Sequence, residues 1–447
     1  MESLEDKITD RTAHVAVIGL GYVGLPLATA FAKAGFRVTG VEADQEKVQH
    51  ISAGKSYIPD VDDGDLLPHV ESGRLTATLD YDVLSELDAI FICVPTPYDA
   101  QRAPDLSFIR SASESIQSRL RRGQLVVLQS TTYPGTTEEV VLPILERSGL
   151  KAGDDFFLGF SPERIDPGNK QWTAYNTPKV VGGVTPESTR LTTNLLRQMG
   201  AVVHPVSSTR AAEMSKLLEN TFRAVNIALV NELALLAERM KIDLWEVIDA
   251  AKTKPFGFMP FYPGPGVGGH CIPVDPYYLL WKAREYDFYT KFIELAAEVN
   301  EAMPYHVVEL VTEALSQGGL PLKGAQVLVL GVAFKPDVDD PRNSPAKRVI
   351  ELLLSRGAAV NYYDPYVPRF QVGNDVFHHE RVALGSVSLT DEELSSADCV
   401  VIVTGHQDVD YGRVVDQAPR VVDTCNALVD VDECLGNIVR LGAPPRT

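Results

Sequence analysis

Residues 14–24 read HVAVIGLGYVG, an apolar run that breaks into three glycines spaced G-x-G-x-x-G. Few patterns restrict a chain so tightly. The run predicts a buried strand. Pro26 to Ala34 has helical periodicity, Gly35 stops it, and Phe36 to Val41 predicts a second strand ending at Glu42. Strand, glycine turn, helix and strand open a doubly wound α/β fold. In such a turn Gly19 permits the bend, Gly21 lets backbone approach a pyrophosphate, and Gly24 lets helix and strand pack closely. A carboxylate at Glu42 accepts hydrogen bonds from a ribose diol and repels a 2′-phosphate, which favours NAD over NADP. The alternative is a glycine turn without ligand.

Further apolar runs at 88–94, 125–129, 156–160, 179–184 and 201–206, with helical stretches between several of them, predict a parallel sheet. Residues 323–365 repeat the opening pattern, and strands follow at 398–403 and 420–423. Between the two patterns, residues 209–241 contain no Gly and no Pro, so one long, partly buried helix is expected, as a packing spine or a dimer interface. Residues 253–276 are rich in Gly, Pro and aromatics; a loop that long is expected to be irregular and functional. The expected fold is α/β: two Rossmann-like doubly wound domains joined by a long central helix and a helical middle region. Its parts are residues 1–208, 209–315 and 316–447.

The net charge of −19 argues against a general nucleic-acid partner, although local donors can still hold a small anion. Cys93, Cys271, Cys399, Cys425 and Cys434 are odd in number and lack metal-ligand spacing, which fits a reduced, cytoplasmic compartment. The opening MESLEDKITD is too polar for a secretory signal, and no apolar run nears the ~20 residues of a membrane span. His378-His379-Glu380 has no third ligand nearby and reads as a solvated loop. DVDDGD at 60–65 lacks calcium-loop spacing and reads as a solvated turn. No metal is expected.

The stretch 264–275, GPGVGGHCIPVD, carries the most chemistry. Gly266, Gly268 and Gly269 clear space beside Cys271, a plausible nucleophile on a glycine-lined loop. Cys93 and Cys399 lie inside apolar strands and read as inert. Asp275 is placed to take a proton; His270 could activate the thiol or point elsewhere. Lys216 and Asn220, four apart, share a helix face and offer a cation and an amide donor to an oxyanion. Glu163 in SPER follows a strand and is a candidate acid/base or water-orienting group; a surface ion pair with Arg164 is the alternative. Ser130 and Thr131 follow another strand, at the sheet edge where ligands bind.

With VIGLGYVGLPLA, CVPTP, STTYPGTTE, SPER, EMSKLLENTFRAVNIALVNE, FYPGPGVGGHCIPVDP and GVAFKPDVDDPRNSPA, the chain resembles the UDP-glucose/GDP-mannose dehydrogenase family from about Val15 to about Ala427. The resemblance implies a homodimer formed through the long helix. It also implies oxidation of a sugar alcohol to a carboxylate with two NAD, through a thiohemiacetal and a thioester on Cys271. Lys216 and Asn220 match the oxyanion-stabilising pair, Asp275 and Glu163 the carboxylates that handle protons and water, and Thr131 a water-ordering residue. The NAD contacts implied are Gly19, Gly21, Tyr22, Val23, Gly24, Glu42, Lys47, Val94, Pro95, Thr96, Ser130, Thr131 and Arg342. The nucleotide-sugar contacts implied are Glu163, Arg164, Lys216, Asn220, Arg223, Tyr262, Gly264, Gly266, Gly268, Phe334 and Lys335.

SPERIDPGN and the His270-Cys271 pair are similar to the enzymes acting on UDP-N-acetylhexosamines, with UDP-N-acetylglucosamine the expected substrate. UDP-glucose, UDP-N-acetylgalactosamine and UDP-N-acetylmannosamine are the alternatives. One departure stands out. Relatives often read D-T-R-N where this chain has Asp423-Thr424-Cys425-Asn426, and a cysteine cannot replace a bidentate guanidinium. Two competing classes remain: a non-catalytic nucleotide-sugar sensor, which would lack Cys271, Lys216 or Asn220, and a two-electron dehydrogenase, which would need neither the cysteine nor a second nucleotide-type domain.

Overall fold

The computed structural model describes residues 2–58, 60–99, 102–165, 171–374, 378–431 and 437–444. They form two compact units, Met1–Glu219 with Tyr277–Phe288, and Asn220–Pro276 with Tyr289–Thr447.

The first unit holds strands β1 (His14–Ile18), β2 (Arg37–Val41), β3 (Leu75–Thr78), β4 (Ala89–Ile92), β5 (Leu125–Leu128), β6 (Phe157–Phe160), β7 (Lys179–Gly183) and β8 (Val203–Pro205). Its helices are α1 (Leu4–Thr9), α2 (Gly24–Lys33), α3 (Gln45–Ser52), α4 (Asp63–Glu71), α5 (Ser107–Gln117), α6 (Leu142–Glu146), α7 (Pro186–Arg197) and the start of α8 (Thr209–Met240). The strand order is β3-β2-β1-β4-β5-β6-β7-β8. Val15, Val17, Phe31, Phe91 and Val127 build its core between sheet and helices.

The sheet is not wholly parallel as expected, because β7 pairs antiparallel with β6. A parallel return needs a crossover helix, and the described residues between β6 and β7 contain none. The acidic stretch at 60–65 is also more than a turn. Asp62 stands at the N-cap of α4, with Asp63 and Asp65 in its first turn, where a helix favours negative charge.

The second unit continues α8 and adds α9 (Leu244–Ala251), the first residues of α10 (Asp275–Ala283), α11 (Lys291–Gln317), α12 (Pro345–Ser355), α13 (Asp391–Ser396) and α14 (Tyr411–Gln417). Strands β9 (Gln326–Leu330), β10 (Ala359–Tyr363), β13 (Cys399–Ile402), β14 (Val421–Asp423) and β15 (Ile438–Arg440) form a parallel sheet in the order β10-β9-β13-β14-β15. A separate hairpin, β11 (Arg369–Val372) with β12 (Val382–Gly385), was not foreseen. The long helix is a single element of 32 residues, as expected. The loop after α9 is irregular only as far as Val274, since Asp275 already opens α10. His378 to Glu380 lie outside any helix or strand, and the described residues contain no cluster fit to hold a metal.

Candidate active site

The dinucleotide turn is built as its glycines require. Gly19 has φ +86°, and a Cβ there would stand 2.7 Å from the Cys93 carbonyl oxygen. A Cβ on Gly24 would overlap the Gly19 carbonyl. At Gly21 a Cβ would meet nothing, so this position faces open space. Val23 is the N-cap of α2 and uses no side chain to cap it, and Tyr22 beside it is half-buried. An anion can therefore approach the backbone of this helix start. Glu42 follows β2, buried, and accepts from the backbone N–H groups of Leu20 (2.8 Å), Ala43 (2.9 Å) and Asp44 (3.3 Å). A carboxylate has about four acceptor positions, so one remains for a ribose hydroxyl. Lys47 lies 3.9 Å from Glu42 and over the Tyr57 ring, and Tyr57 donates to the Leu20 carbonyl. These residues fit NAD.

Two more loops sit at the same sheet edge. Val94, Pro95 and Thr96 follow β4, and Ser130 and Thr131 follow β5. Ser130 donates to the Val94 carbonyl at 2.7 Å, tying the loops together, while Thr131 is half-buried. The hydroxyl of fully buried Tyr278 donates to the Thr96 carbonyl. Tyr278 belongs to α10, the helix that opens at Asp275, and sequence reasoning missed it.

Glu163 is buried and does not pair with Arg164, which binds Glu219 instead. Its partner is Lys179 at the start of β7, 3.1 Å away and only 1% exposed. Gln129 donates to the same carboxylate oxygen at 2.8 Å. The other oxygen accepts from the backbone N–H groups of Arg164 (2.8 Å) and Ile165 (3.2 Å). Lys179, Arg164, and Lys216 on α8 together hold the carboxyl below its usual range, against the effect of burial. Residues Asp166 to Asn169 of the SPERIDPGN stretch lie outside the described residues.

Three residues before Lys216, buried Glu213 accepts from the N–H of Gly135, the N–H of Thr137 (2.9 Å) and the Thr137 hydroxyl (2.7 Å). It pins the STTYPGT loop to α8, and burial pushes its pKa up to about 7. Sequence reading assigned it no role.

In the second unit the carbonyl of Cys271 accepts from the N–H groups of Val274 (3.1 Å) and Asp275 (2.8 Å), so the cysteine sits at the entrance to α10. Asp275 is buried, and the Asn220 amide donates to its carboxylate. The expected site residues Asn220 and Asp275 are thus in direct contact. The glycines before the cysteine clear space for protein. A Cβ on Gly268 would stand 2.9 Å from Phe334, and one on Gly269 would stand 3.0 Å from the same ring. Asn343 donates to the Gly269 carbonyl, and the Gly269 N–H donates to the Arg342 carbonyl. Arg342 holds Asp340 with a two-pronged contact at 2.9 Å. His270 lies 3.5 Å from Asp340 and edge-on to Phe334, so its ring faces this turn; burial and Arg342 lower its pKa.

A buried amide relay, missed in the sequence, anchors the loop further back. Asn231 accepts from the Gly264 N–H at 3.0 Å and donates to Asn300, which donates to the Ala224 carbonyl. Tyr262 stacks on Trp245 with its hydroxyl on Asp249. Gly266 has φ +129° beside Asn300 and Pro345. Arg223 is exposed on α8, and the Lys335 ammonium lies 5.7 Å from the centre of the Phe334 ring. Cys425 packs among Gly405, Tyr411 and Ala427, and burial pushes its thiol pKa well up. Cys93 and Cys399 are buried in the cores, as expected. No helix among the described residues is long and apolar enough to cross a membrane.

Residues 13–200 match the NAD binding domain of the UDP-glucose/GDP-mannose dehydrogenase family, residues 210–302 its central domain and residues 328–430 its UDP binding domain. A UDP-N-acetyl-D-glucosamine 6-dehydrogenase of Pseudomonas aeruginosa is 41% identical over 355 residues, covering 79% of this chain and 83% of that protein. One of Salmonella typhi is 36% identical over 395 residues, covering 88% and 90%. Among solved structures, a UDP-D-ManNAc dehydrogenase from Pyrococcus horikoshii aligns with a TM-score of 0.86 at 33% identity, covering 96% of this chain and 99% of that one. The chain therefore belongs to the UDP-glucose/GDP-mannose dehydrogenase family, as an NAD-dependent oxidoreductase of nucleotide sugars.

Proposed function

We propose that this chain oxidises the C6 hydroxymethyl group of UDP-N-acetylglucosamine to a carboxylate, in two two-electron steps with Cys271 as covalent nucleophile. NAD, when bound, supplies the oxidant for each step. The C6 alcohol first loses a hydride and a proton to give the aldehyde. The Cys271 sulfur then adds to the aldehyde carbon, and its thiol proton leaves as the thiohemiacetal forms. A second hydride and proton leave, giving a thioester. Water adds, the carbon–sulfur bond breaks, and the acid departs with the thiol restored.

Lys216 and Asn220 stabilise the oxyanion at each tetrahedral stage. Asp275 takes and returns protons, and Thr131 orders the water. Glu163 shares the handling of protons and water. Gly19 to Gly24, Glu42, Lys47, residues 94–96, Ser130 and Arg342 hold NAD. Tyr262 to Gly268, Arg164, Arg223, Phe334 and Lys335 hold the nucleotide sugar. Residues 1–208, 209–315 and 316–447 divide these tasks. The observation that carries the reading is the join between Asn220 and Asp275 at the entrance to α10, where Cys271 sits.

A homodimer in the cytoplasm completes the proposal. Leu218, Phe222, Leu229, Leu233, Leu236 and Met240 form an exposed stripe along α8 at seam-like spacing, which supports pairing of two such helices. A second substrate reading, UDP-N-acetylmannosamine, is favoured by the likeness to the P. horikoshii structure. A panel of UDP-N-acetylglucosamine, UDP-N-acetylmannosamine, UDP-N-acetylgalactosamine and UDP-glucose, with the product identified by mass spectrometry, separates them. Uronate from the glucosamine sugar at the highest kcat/KM is expected. Preference for another sugar overturns the substrate, and no uronate from any overturns the reaction.

A further inference from the structure

Helix α9 turns one face toward the loop that leads to Cys271. Trp245, Asp249 and the C-cap Lys252 are spaced four and three residues apart, so they share that face. All three meet one side chain, Tyr262. The Trp245 and Tyr262 rings stack nearly parallel, 13° apart in plane and 5.7 Å between centres. The Tyr262 hydroxyl donates to Asp249 at 3.2 Å, and the Lys252 ammonium lies 3.4 Å from that hydroxyl and 2.6 Å from Asp249. Trp245 is 7% exposed and Tyr262 41%, so the tyrosine rests on a buried ring while part of it stays open to solvent. The start of α9 is itself tied to β15 and the residues after it. The Trp245 indole donates to the Leu441 carbonyl at 2.8 Å and the Leu244 N–H to the Gly442 carbonyl at 2.9 Å, while Arg440 pairs with Asp243, the N-cap of α9.

We propose that Trp245 and Asp249 are positioning residues for the nucleotide sugar: together they fix Tyr262, the first residue of the segment Tyr262 to Gly268, in the conformation that receives the substrate. The inference rests on the function proposed above, which gives that segment to the nucleotide sugar. Ordering a side chain on binding subtracts from affinity, and a side chain already held loses less. An aromatic pair contributes beyond the area it buries, so the stack holds the ring more firmly than burial alone. Pro263 adds to the effect, because the residue before a proline is confined to extended backbone. Trp245 and Asp249 therefore act on binding, through Tyr262, and take no part in the oxidation.

The test compares full-length wild type, Trp245→Leu, Trp245→Phe, Asp249→Ala, Tyr262→Leu and the double variant Trp245→Leu/Tyr262→Leu. NADH formation gives kcat and KM for UDP-N-acetylglucosamine, and isothermal titration without NAD gives its Kd. Trp245→Leu should raise KM and Kd about 10-fold. Its kcat should move by less than about 2-fold, as expected where only binding is lost. Trp245→Phe keeps a ring against Tyr262 and should restore most of the affinity. Asp249→Ala should weaken binding about 3-fold. Its position is exposed, so it decides the matter should Trp245→Leu fail to fold. The double variant should bind no more weakly than Tyr262→Leu, because Trp245 then has no ring to hold. Additive losses in the double variant, a Trp245→Leu that lowers kcat with KM and Kd unchanged, or an Asp249→Ala that binds as wild type does would each overturn the proposal. A wild type that binds UDP-N-acetylglucosamine but forms no NADH would instead remove the functional reading beneath it.

Discussion

The two doubly wound sheets begin alike and diverge within three residues. In the first unit Gly19 bends the chain after β1, Gly21 faces open space and α2 starts at Gly24. In the second unit Gly331 bends the chain after β9 with φ +81°, but buried Ala333 stands where Gly21 would be. Helix α12 does not start until Pro345. The intervening turn carries Phe334, Asp340, Arg342 and Asn343 against the glycines that precede Cys271. The acid at the end of the second strand differs as well. Glu42 keeps an acceptor position. Asp364, after β10, is saturated by the N–H groups of Val332, Ala333, Tyr366 and Val367 and by His406. His406 accepts from the Asp337 N–H through Nδ1, so Nε2 carries the proton given to Asp364. One fold keeps a helix N-terminus and a carboxylate open for a dinucleotide. The other closes both and uses the freed turn to hold the cysteine loop.

The comparison breaks most readily at Gly331. A methyl group there would collide with the Thr404 backbone carbonyl, in a conformation that already favours glycine. Gly331→Ala should cost roughly 3 kcal/mol or more by chemical denaturation. A cost below about 1 kcal/mol would show that the turn can relax. Asp364→Ala comes next. It leaves buried N–H groups and His406 unpartnered, a loss of roughly 2–3 kcal/mol near neutral pH. The His406 and backbone donors lower the Asp364 pKa. A depressed carboxylate contributes stability above its unfolded pKa, and that stability is lost as pH falls through the folded value. The gap between wild type and Asp364→Ala should therefore narrow on acidification, and a gap that widens would contradict the assignment. NAD affinity should be nearly untouched.

Gly21→Ala should do the opposite. Its methyl group meets no protein atom, so the melting temperature should hold while NAD binding weakens about 10-fold, or ~1.4 kcal/mol. A thermal melt measures the first and isothermal titration with NAD the second. The smallest effect is expected at Cys425. Its thiol is packed against Gly405 and kept neutral, so Cys425→Ala should change kcat/KM by less than about 2-fold. A larger loss would give the cysteine a direct place in sugar recognition.

Much of this was legible in the sequence because it is local. Apolar period, the glycine spacing at 19–24 and the Gly- and Pro-free run at 209–241 marked both sheets and α8. The cysteine, the Lys216–Asn220 face and Asp275 were legible because their chemistry is unusual for their setting. What escaped depends on partners far apart in the chain. The β6–β7 reversal is a question of register and crossover. Lys179 meets Glu163 across 16 residues, Glu213 meets Thr137 across 76, and Asn231 meets Asn300 across 69. Nothing in a strand that begins with lysine says that the lysine turns inward.

The proposed reaction has one cysteine carry an alcohol to the acid level. It is tested most directly by counting NADH formed per UDP-N-acetylglucosamine consumed, for wild type and for Cys271→Ser. Wild type should give two, and the variant should stall without releasing uronate. A wild-type count of one, or uronate released by Cys271→Ser at the wild-type rate, would contradict it.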